Sequence, residues 1–341
     1  MPRIKLTLLA ALVSLSLLPA QETVDHSAGA TSLANPAVKY SRPLKSYAVL
    51  KRGPVEAVIV DNSAVDDDVL PGHRAGYSGL ALLRHQRQPQ NLFVPAYSGL
   101  NFEHILDGTA STDRRIQFEP RNHPIELRAI SSHIAELCQP PTFHHALESC
   151  QRYELLDDGT IALTIELIAR RPTFKNGYIN LFWASYINQP ESLDIHFRGV
   201  PASDPKATPA WILGVTPAHG ELSTHIATTD TRVFPHDEPF PLTLVHSLSN
   251  HRFTEPWYFG ICRGMAFVQM FRPRDQVRIT QSPSGGGKGN PAWDFQFYVP
   301  NYAPGRLYRF VMRAAYLPYE SHQQVEAATR AHRAALATSS R

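Results

Sequence analysis

The segment Tyr153-Glu-Leu-Leu-Asp-Asp-Gly-Thr-Ile-Ala-Leu-Thr-Ile-Glu-Leu167 carries the clearest strand pattern in the chain. From Ile161 to Leu167 every second residue is a large aliphatic one, which is typical of a strand with one face in a core. The preceding Asp157-Asp158-Gly159 is typical of a tight turn. The segment therefore predicts a β-hairpin.

Similar short runs recur along the chain and predict further strands. Examples are Val55–Val60, Ile125–Ile130, Ile134–Cys138, Ile179–Ile187, Leu242–Val245, Met265–Phe271 and Leu307–Leu317. Clusters of Pro, Gly, Asp and Asn separate them, and the 28 prolines disfavour long helices because proline interrupts a helix. We expect an all-β protein, a large antiparallel β-sandwich over residues 46–320.

The two ends of the chain differ from this pattern. Residues 21–45 are polar and without periodicity, which predicts a flexible lead-in. Residues 321–341 are rich in Ala, Arg and Gln and predict a helix with a frayed end. No internal repeat or interdomain linker is visible, so one domain is the simplest interpretation.

The composition excludes several protein classes. In 341 residues, 43% are hydrophobic and 18% are charged, as in ordinary globular proteins rather than disordered ones. The net charge of +3 comes without a basic block, which argues against nucleic acid as a partner.

The first twenty residues have the pattern of a secretory signal peptide. Arg3 and Lys5 precede the apolar run Leu6–Leu18, and Ala20 supplies a small residue for cleavage. The run is shorter than the roughly 20 residues that a membrane span needs. We expect a secreted or periplasmic protein that has no membrane span after cleavage. An uncleaved anchor is the alternative.

Three cysteines occur, Cys138, Cys150 and Cys262. In an exported protein Cys138 and Cys150 can form a disulfide across a short excursion, with Cys262 buried. Three buried thiols are the alternative. Without a CxxC pair no cysteine zinc site is predicted, and we expect no cofactor.

The 16 histidines are candidates for acid–base chemistry. His144 and His145 are adjacent, and His219 and His225 lie near each other in sequence. No known ligand spacing occurs among the histidines, so no metal site is predicted. The glycine-rich run that starts at Ser284 lacks the spacing of a phosphate loop and is interpreted as an ordinary loop.

Aromatic residues beside polar ones indicate carbohydrate binding, since a flat ring packs on a sugar face and polar groups bind hydroxyls. The rim of a sandwich core has the same composition and is the alternative. The candidate substrate-binding residues are Asn101, His144, His145, His225, Arg252, Glu255, Trp257, Trp293 and Gln296.

Five segments, taken in order, resemble motifs of the aldose 1-epimerase (galactose mutarotase) family. They are Pro95–Ile105 with Asp107-Gly108, Tyr153–Arg170, Phe182-Trp-Ala-Ser-Tyr-Ile-Asn188, Ala292-Trp-Asp-Phe-Gln296 and Pro304-Gly-Arg-Leu-Tyr-Arg309. The third is similar to the family's Asn-His-Ser-Tyr-Phe-Asn. The resemblance implies a large β-sandwich of the galactose mutarotase-like kind that binds a sugar in a concave cleft.

The chain departs from this family at its functional positions. The resemblance places Ala184 where the family has its general-acid histidine, and Asp294 where it has its general-base glutamate. Leu100 and His104 take the places of two sugar-binding arginines, and Glu103 that of an asparagine. The family's own machinery is therefore incomplete here.

The function that we expect is carbohydrate binding, with acid–base chemistry of the epimerase, lyase or glycosidase type. The candidate bases are Asp294 and Glu103, and the candidate acids are His104, His145, His219 and His225. A binding module without activity and a structural envelope protein are the alternatives.

Asp294 is the first candidate. Strand alternation places Asp294 and Gln296 on one face and the neighbouring rings on the other, so Gln296 can orient the carboxyl group. An ion pair of Asp294 with Arg306 or Arg252 is the structural alternative.

Overall fold

The computed structural model describes residues 29–338 and consists mainly of β-strands. The strands are β1 Tyr47–Arg52, β2 Val55–Val60, β3 Gly79–His85, β4 Asn101–Leu106, β5 Glu126–Ser131, β6 Ile134–Gln139, β7 Leu147–Leu155, β8 Ile161–Ala169, β9 Tyr178–Ala184, β10 Ile195–Pro201, β11 Ala210–Gly214, β12 Thr224–Ala227, β13 Leu248–Phe253, β14 Trp257–Cys262, β15 Met265–Phe271, β16 Arg278–Ser282, β17 Ala292–Pro300 and β18 Leu307–Pro318. The helices are α1 Arg114–Gln117, α2 Glu119–Asn122 and α3 His322–Thr338. The predicted signal peptide lies outside the described residues.

Strands β1, β2 and β3 form a small sheet, and the other fifteen form one long sheet. Its order is β4-β9-β17-β16-β12-β13-β10-β14-β15-β18-β8-β7-β6-β5, with β11 beside β10. Neighbours are antiparallel except β12 and β13, which are parallel.

The long sheet folds over so that strands far apart in its order pack face to face. The Phe297 ring of β17 stacks on Phe310 of β18 with 4.3 Å between centroids. The indole N–H of Trp183 on β9 donates to Gln151 on β7, with 2.8 Å between Nε1 and Oε1. One continuous apolar core fills the space between these layers. The predicted all-β sandwich is confirmed.

The hairpin predicted from residues 153–167 is formed by β7 and β8. Leu155 pairs with Ile161 across the turn, and Gly159 has a φ of +86°, which glycine adopts without steric penalty. Ile161, Leu163, Ile165 and Leu167 all belong to the main core. The period-2 pattern therefore identified the correct inner face.

The opposite face of β4, β9 and β17 is also covered, and this face positions the candidate site. A second apolar cluster lies there, with Phe182, Ala184, Tyr186, Phe240 and Ala292 among its buried members. Loops supply its cover, so this face is almost closed rather than an open cleft.

One predicted strand is wrong. Residues 242–245 contain a 3-10 turn, Thr243–Val245, in which Val245 N–H donates to the Leu242 carbonyl. Leu244 and Val245 are both buried, whereas a strand would place them on opposite faces. The preceding Pro241 lacks an N–H for a sheet ladder, which favours the turn.

The expected flexible lead-in contacts the sheet over residues 29–45. Thr31 and Ala34 are fully buried, and Ser41 pairs with Ala129 of β5. Backbone N–H groups of Ala30 and Thr31 bind the buried Glu166 carboxylate on β8. A polar segment without periodicity is thus fixed in place by hydrogen bonds to a buried acid.

Helix α3 lies in the C-terminal segment where the sequence predicts a helix. Its Val325 and Leu336 pack on Trp257 and Phe259 of β14. Among residues 29–338, no helix has both the length and the apolar character needed to cross a membrane. Cys138 and Cys150 lie opposite each other on β6 and β7 and form a disulfide, while Cys262 is a buried free thiol.

Candidate functional site

A β-bulge in β4 brings Glu103 and His104 onto the same face of the sheet. Phe102 pairs with Trp183 and His104 with Phe182, so Glu103 is the extra residue of the bulge. Phe102 and Ile105 both enter the main core. Since bulges re-aim side chains, Glu103 and His104 both leave the core and face the second apolar cluster.

Glu103 is a buried carboxylate with a cation and a hydroxyl as partners. Its Oε1 lies 3.2 Å from Arg121 Nη1, and the Tyr186 hydroxyl lies 2.6 and 2.7 Å from its two oxygens. The Asn101 amide is 3.5 Å away. Arg121 comes from α2 and lies 3.9 Å above the ring of Tyr77. These contacts fix the orientation of the Glu103 side chain and leave its oxygens as hydrogen-bond acceptors.

Asp294 on β17 is a second buried carboxyl group, with only 2% of its surface exposed. Its Oδ1 accepts the Ser185 backbone N–H at 3.0 Å, and it forms no ion pair with any residue in the described part of the chain. Burial raises the pKa of Asp294 well above its usual value; the Ser185 hydrogen bond opposes this, and the charge of Glu103 adds to it. Asp294 therefore keeps its proton at a pH where an ordinary aspartate has lost it.

Two consecutive residues connect these carboxyl groups. The Ser185 N–H binds Asp294, and the next side chain, Tyr186, binds Glu103. Burial, with the nearby Glu103 charge, raises the pKa of Tyr186 well above its usual value, so its hydroxyl stays a donor. We call Glu103, Asp294, Tyr186 and Arg121 the Glu103–Asp294 site.

Three tyrosine rings surround this site. The centroids of Tyr77 and Tyr97 are 4.7 Å apart, and those of Tyr97 and Tyr186 are 5.0 Å apart. Tyr77 and Tyr97 are partly exposed, whereas Tyr186 is buried. The buried Tyr186 contacts Glu103, and the partly exposed rings of Tyr77 and Tyr97 pack beside Tyr186 and offer flat apolar faces at the surface.

His104 and Gln296 lie on the same face but have other partners. His104 Nδ1 contacts the Gln117 carbonyl, and burial lowers the pKa of the ring, so it is neutral rather than a ready acid. The Gln296 side chain bonds to Asn180 and Thr280. It does not orient Asp294, contrary to the expectation from strand alternation, although the alternation itself is confirmed.

His144 and His145 lie at a separate place, beside a cavity. The Nδ1 of His145 is 2.6 Å from Oε2 of Glu119 on α2, and both residues are buried. The His144 and His145 backbone N–H groups also bind Glu119. Burial alone raises the pKa of Glu119, but these hydrogen bonds hold it below the usual value.

Three other predicted residues are dispersed. His219 is exposed, with its Nδ1 2.7 Å from Ser282 Oγ. His225 is buried against Ser249, and burial lowers its pKa to about 3, so it is not an acid at neutral pH. In Arg252, burial lowers the guanidinium pKa, and Nη1 has no hydrogen-bond partner among residues 29–338. Within residues 29–338, no hydrogen bond or ion pair joins any of the three to Asp294.

The remaining predicted residues have structural contacts. Glu255 binds both the Trp257 indole N–H and Arg333 of α3, which lies over the Trp257 ring. Trp293 is in the main core, where its indole donates to the Leu193 carbonyl. These contacts fasten α3 and the core rather than line a binding site.

Sequence reasoning missed Tyr77, Tyr97, Arg121, Tyr186 and Glu119. One signal was present: Ser185-Tyr186 matches the Ser-Tyr of the family motif to which residues 182–188 were compared. The other four lie in loops or short helices, where no local pattern marks a residue that reaches a distant strand.

No protein-family model and no curated protein sequence matches the chain. Among solved structures, a "Putative aldose 1-epimerase" from Escherichia coli K12 aligns with 80% of this chain and 99% of its own, with 10% identity and a TM-score of 0.46. A galactose mutarotase related enzyme from Lactobacillus acidophilus aligns with 79% and 97%, with 8% identity and a TM-score of 0.43. Heparan sulfate lyase HepC from Pedobacter heparinus aligns over 85% of this chain and 39% of its own, with 9% identity and a TM-score of 0.39. The sequence motifs described above resemble those of the family named in the first two structures. The similarity to all three solved structures concerns the fold alone.

Proposed function

We propose that the protein binds a sugar at the Glu103–Asp294 site and acts on it by acid–base chemistry. The observation that carries this proposal is one pair of carboxyl groups in opposite environments. Glu103 is paired with a cation, whereas burial raises the pKa of Asp294 well above its usual value. Two titratable groups whose environments differ in this way are the usual basis of acid and base assignments.

The roles of the two carboxyl groups differ from the sequence-based expectation. Asp294, expected to be a base, is the proton donor. Glu103 is the proton acceptor, and Arg121 and Tyr186 position it as a carboxylate. The missing histidine at Ala184 is then not needed, because Asp294 supplies the acid from the adjacent strand β17.

The tyrosine rings supply the rest of a sugar site. Tyr77 and Tyr97 present their rings at the surface, where the apolar face of a pyranose can stack. Glu103 and Asp294 are both buried, so a sugar reaches them only when the side chains around the site move. A site this closed suits a monosaccharide or the terminal unit of a glycan.

The proposed reaction is the opening and reclosure of a sugar hemiacetal, since it needs one donor, one acceptor and no third reactant. Asp294 gives its proton to the ring oxygen while Glu103 takes the proton of the anomeric hydroxyl. The bond between the anomeric carbon and the ring oxygen breaks, and its electron pair stays on the oxygen. Reclosure on the other face of the carbonyl returns both protons.

The test compares Glu103→Gln and Asp294→Asn with Glu255→Gln, a carboxylate-to-amide control beside α3. Sugar binding is measured by thermal shift, where ligand at a hundred times its Kd stabilises by about 2.7 kcal/mol. Anomer exchange is measured by NMR. We expect both site variants to lose about 10²–10⁴-fold in exchange rate, as for other general acids and bases, and the control to keep it. Exchange unchanged in both site variants would overturn the proposal.

A binding module without turnover is the second candidate. Ala184 at the family's acid position and the closed tyrosine rings favour it. In that case a sugar stabilises the wild-type protein, the site variants weaken this effect, and no exchange, hydrolysis or elimination occurs.

We also propose that the protein is exported, on the pattern of residues 1–20. The mature chain then begins at or near Gln21. N-terminal sequencing of the native protein tests this, and a sequence that starts at Met1 or Pro2 would refute cleavage.

A further inference from the structure

Helix α3 packs on the side of β14 that faces away from the main core. Trp257 and Phe259 lie on that side, whereas Tyr258 between them belongs to the main core. Val325 and Leu336 of α3 are buried in the same cluster as the two rings. The helix therefore covers an aromatic face of the sheet.

The start of α3 is attached to this face through a pair of histidines. Nε2 of His322, the first residue of the helix, lies 3.0 Å from Nδ1 of His196 on β10. His196 stacks on Phe259 with 5.0 Å between ring centroids, and the centroids of His322 and Trp211 are 4.6 Å apart. The Tyr319 hydroxyl lies 3.4 Å from Nδ1 of His322. Aromatic rings thus surround the hydrogen bond between the two histidines.

This hydrogen bond requires that one ring remain neutral. One ring donates an N–H and the other accepts with a nitrogen that carries no proton, so the bond tolerates one added proton on the pair but not two. With both rings protonated, two N–H groups of like charge face each other in place of the bond. Protonation of both His196 and His322 therefore weakens the attachment of α3.

The charged groups on the neighbouring elements do not offset this repulsion. Four of them flank the two histidines along the chain: Asp194, Arg198, Glu320 and Glu326. Within residues 29–338, none of the four forms a hydrogen bond or an ion pair with either ring. Strands β11 and β14 place the uncharged Leu213 and Phe259 opposite His196. Burial, with His322 nearby, lowers the pKa of His196 to about 4, and burial also lowers the pKa of His322.

The C-terminal half of α3 is attached in a different way. Arg333 lies 2.7 Å from the Glu255 carboxylate, and Nε2 of His332 lies 2.7 Å from Oδ2 of Asp158. Carboxylates keep their charge at pH 5, so a fall from pH 7 to pH 5 does not break these contacts. The two halves of the helix therefore differ in how acid affects their attachment.

We propose that the pair of His196 and His322 is a pH-sensitive switch that loosens the start of α3 in acid. The attachment is at full strength above about pH 6.5, the ordinary pKa of histidine, because both rings are then neutral whether or not the helix is attached. As the pH falls from 6.5 towards 4, it weakens by about tenfold for each pH unit, since the detached state binds the proton more readily. This switch is independent of the sugar chemistry proposed above.

Attachment by apolar packing alone is the competing explanation. In that case Val325 and Leu336 hold the helix, and the two histidines contribute only the area that they bury. The attachment of α3 would then be the same at pH 7 and at pH 5. The two explanations therefore differ in the pH dependence of the attachment.

Hydrogen exchange of the α3 amides in the full-length protein tests the proposal, after correction for the intrinsic effect of pH on exchange. From pH 7 to pH 5 we expect their protection factors to fall by about twentyfold, because the pKa of His196 lies near 4 in the attached state. His196→Gln retains a side chain that can form hydrogen bonds but cannot be protonated, and we expect a fall of about threefold or less. His219→Gln, which changes an exposed histidine of another loop, is the matched control and should show the wild-type fall. No fall in the wild type, or an equal fall in His196→Gln, would overturn the proposal.

Titration of the wild-type protein tests the same proposal without a variant. The ring signals of His196, assigned through the backbone in ¹⁵N- and ¹³C-labelled protein, can be followed by NMR from pH 8 to pH 4. We expect a midpoint at least one unit below the ordinary value of about 6.5. A midpoint at or above that value would show that the attached helix does not favour the neutral ring, and this would overturn the proposal.

Discussion

Two regions of the molecule each bury a pair of carboxyl groups, and they differ in how those groups are satisfied. Glu166 of β8 is fully buried beneath residues 29–35. It accepts hydrogen bonds from the backbone N–H groups of Ala30 and Thr31 and from the Thr31 hydroxyl, at 2.7 Å. The guanidinium of Arg309 also donates to it. Glu136 is equally buried, with Arg152 and Ser32 as partners. Every oxygen there has a donor.

The Glu103–Asp294 site lacks this completeness. Glu103 has a cation, but Asp294 has one backbone N–H and no cation within the described residues. A buried acid that is left undersatisfied destabilises its charged form, which marks it as a candidate for function. The comparison teaches that burial alone does not distinguish a candidate acid–base group from a structural carboxylate. The number of hydrogen-bond donors around the carboxyl group does distinguish the two regions.

The largest effect on stability is expected at Glu166, where every carboxylate oxygen has a hydrogen-bond donor. Glu166→Gln keeps the size of the side chain but removes the charge that Arg309 and the N-terminal segment bind. We expect unfolding free energy to fall by about 3–5 kcal/mol, as when one partner of a buried ion pair is removed. Urea unfolding measures this. Glu148→Gln, from the partly exposed pair with Arg170, is the control, with a loss of about 1 kcal/mol or less. Equal losses of unfolding free energy in Glu166→Gln and Glu148→Gln would show that the buried ion pair contributes no more than the partly exposed one, contrary to this prediction.

A smaller effect is expected at Thr31. Thr31→Val keeps the buried shape and removes the hydroxyl that donates to Glu166. Because the acceptor is charged, the loss should be about 1.5–3 kcal/mol. Ser46→Ala, which removes an exposed hydroxyl bond to Ser63, should change the unfolding free energy by well under 1 kcal/mol. No difference between these two variants would show that the segment is only loosely held.

The third expected effect is a dependence of the unfolding free energy on pH that comes from Asp294. The raised pKa of Asp294 means that the folded state holds a proton that the unfolded state has lost. Its contribution is fully present below an unfolded pKa of about 3.9 and is lost as pH rises through the folded pKa, by about 1.4 kcal/mol for each unit between the two values. Asp294→Asn should remove this decline. Parallel stability–pH curves for the wild type and the variant would contradict it.

The sequence predicted those features that depend on local periodicity. The alternation in residues 161–167 and 293–297 identifies which side chains enter the core, because a strand has period 2 whatever its partner. The 3-10 turn at Thr243–Val245 was missed, since a short apolar run does not distinguish a strand from a turn.

Which residues come together in the site depends on the pairing of strands that are distant in sequence, and a single sequence does not show this pairing. The bulge at Glu103 exists only in the register between β4 and β9. Arg121, Tyr77 and Tyr97 reach the site from loops and a four-residue helix. Glu103 and Asp294 were identified as candidates from the sequence. The role that we propose for Asp294 rests on its lack of a cationic partner within the described residues, which is visible only in three dimensions.

The protonation state of Asp294 tests the account most directly. In protein labelled with ¹³C at aspartate side chains, the Asp294 carboxyl signal can be assigned by its loss in Asp294→Asn and followed against pH. The account predicts a titration midpoint well above the usual value for aspartate, about 3.9. A midpoint at or below that value would show an ordinary carboxylate and would contradict Asp294 as the proton donor.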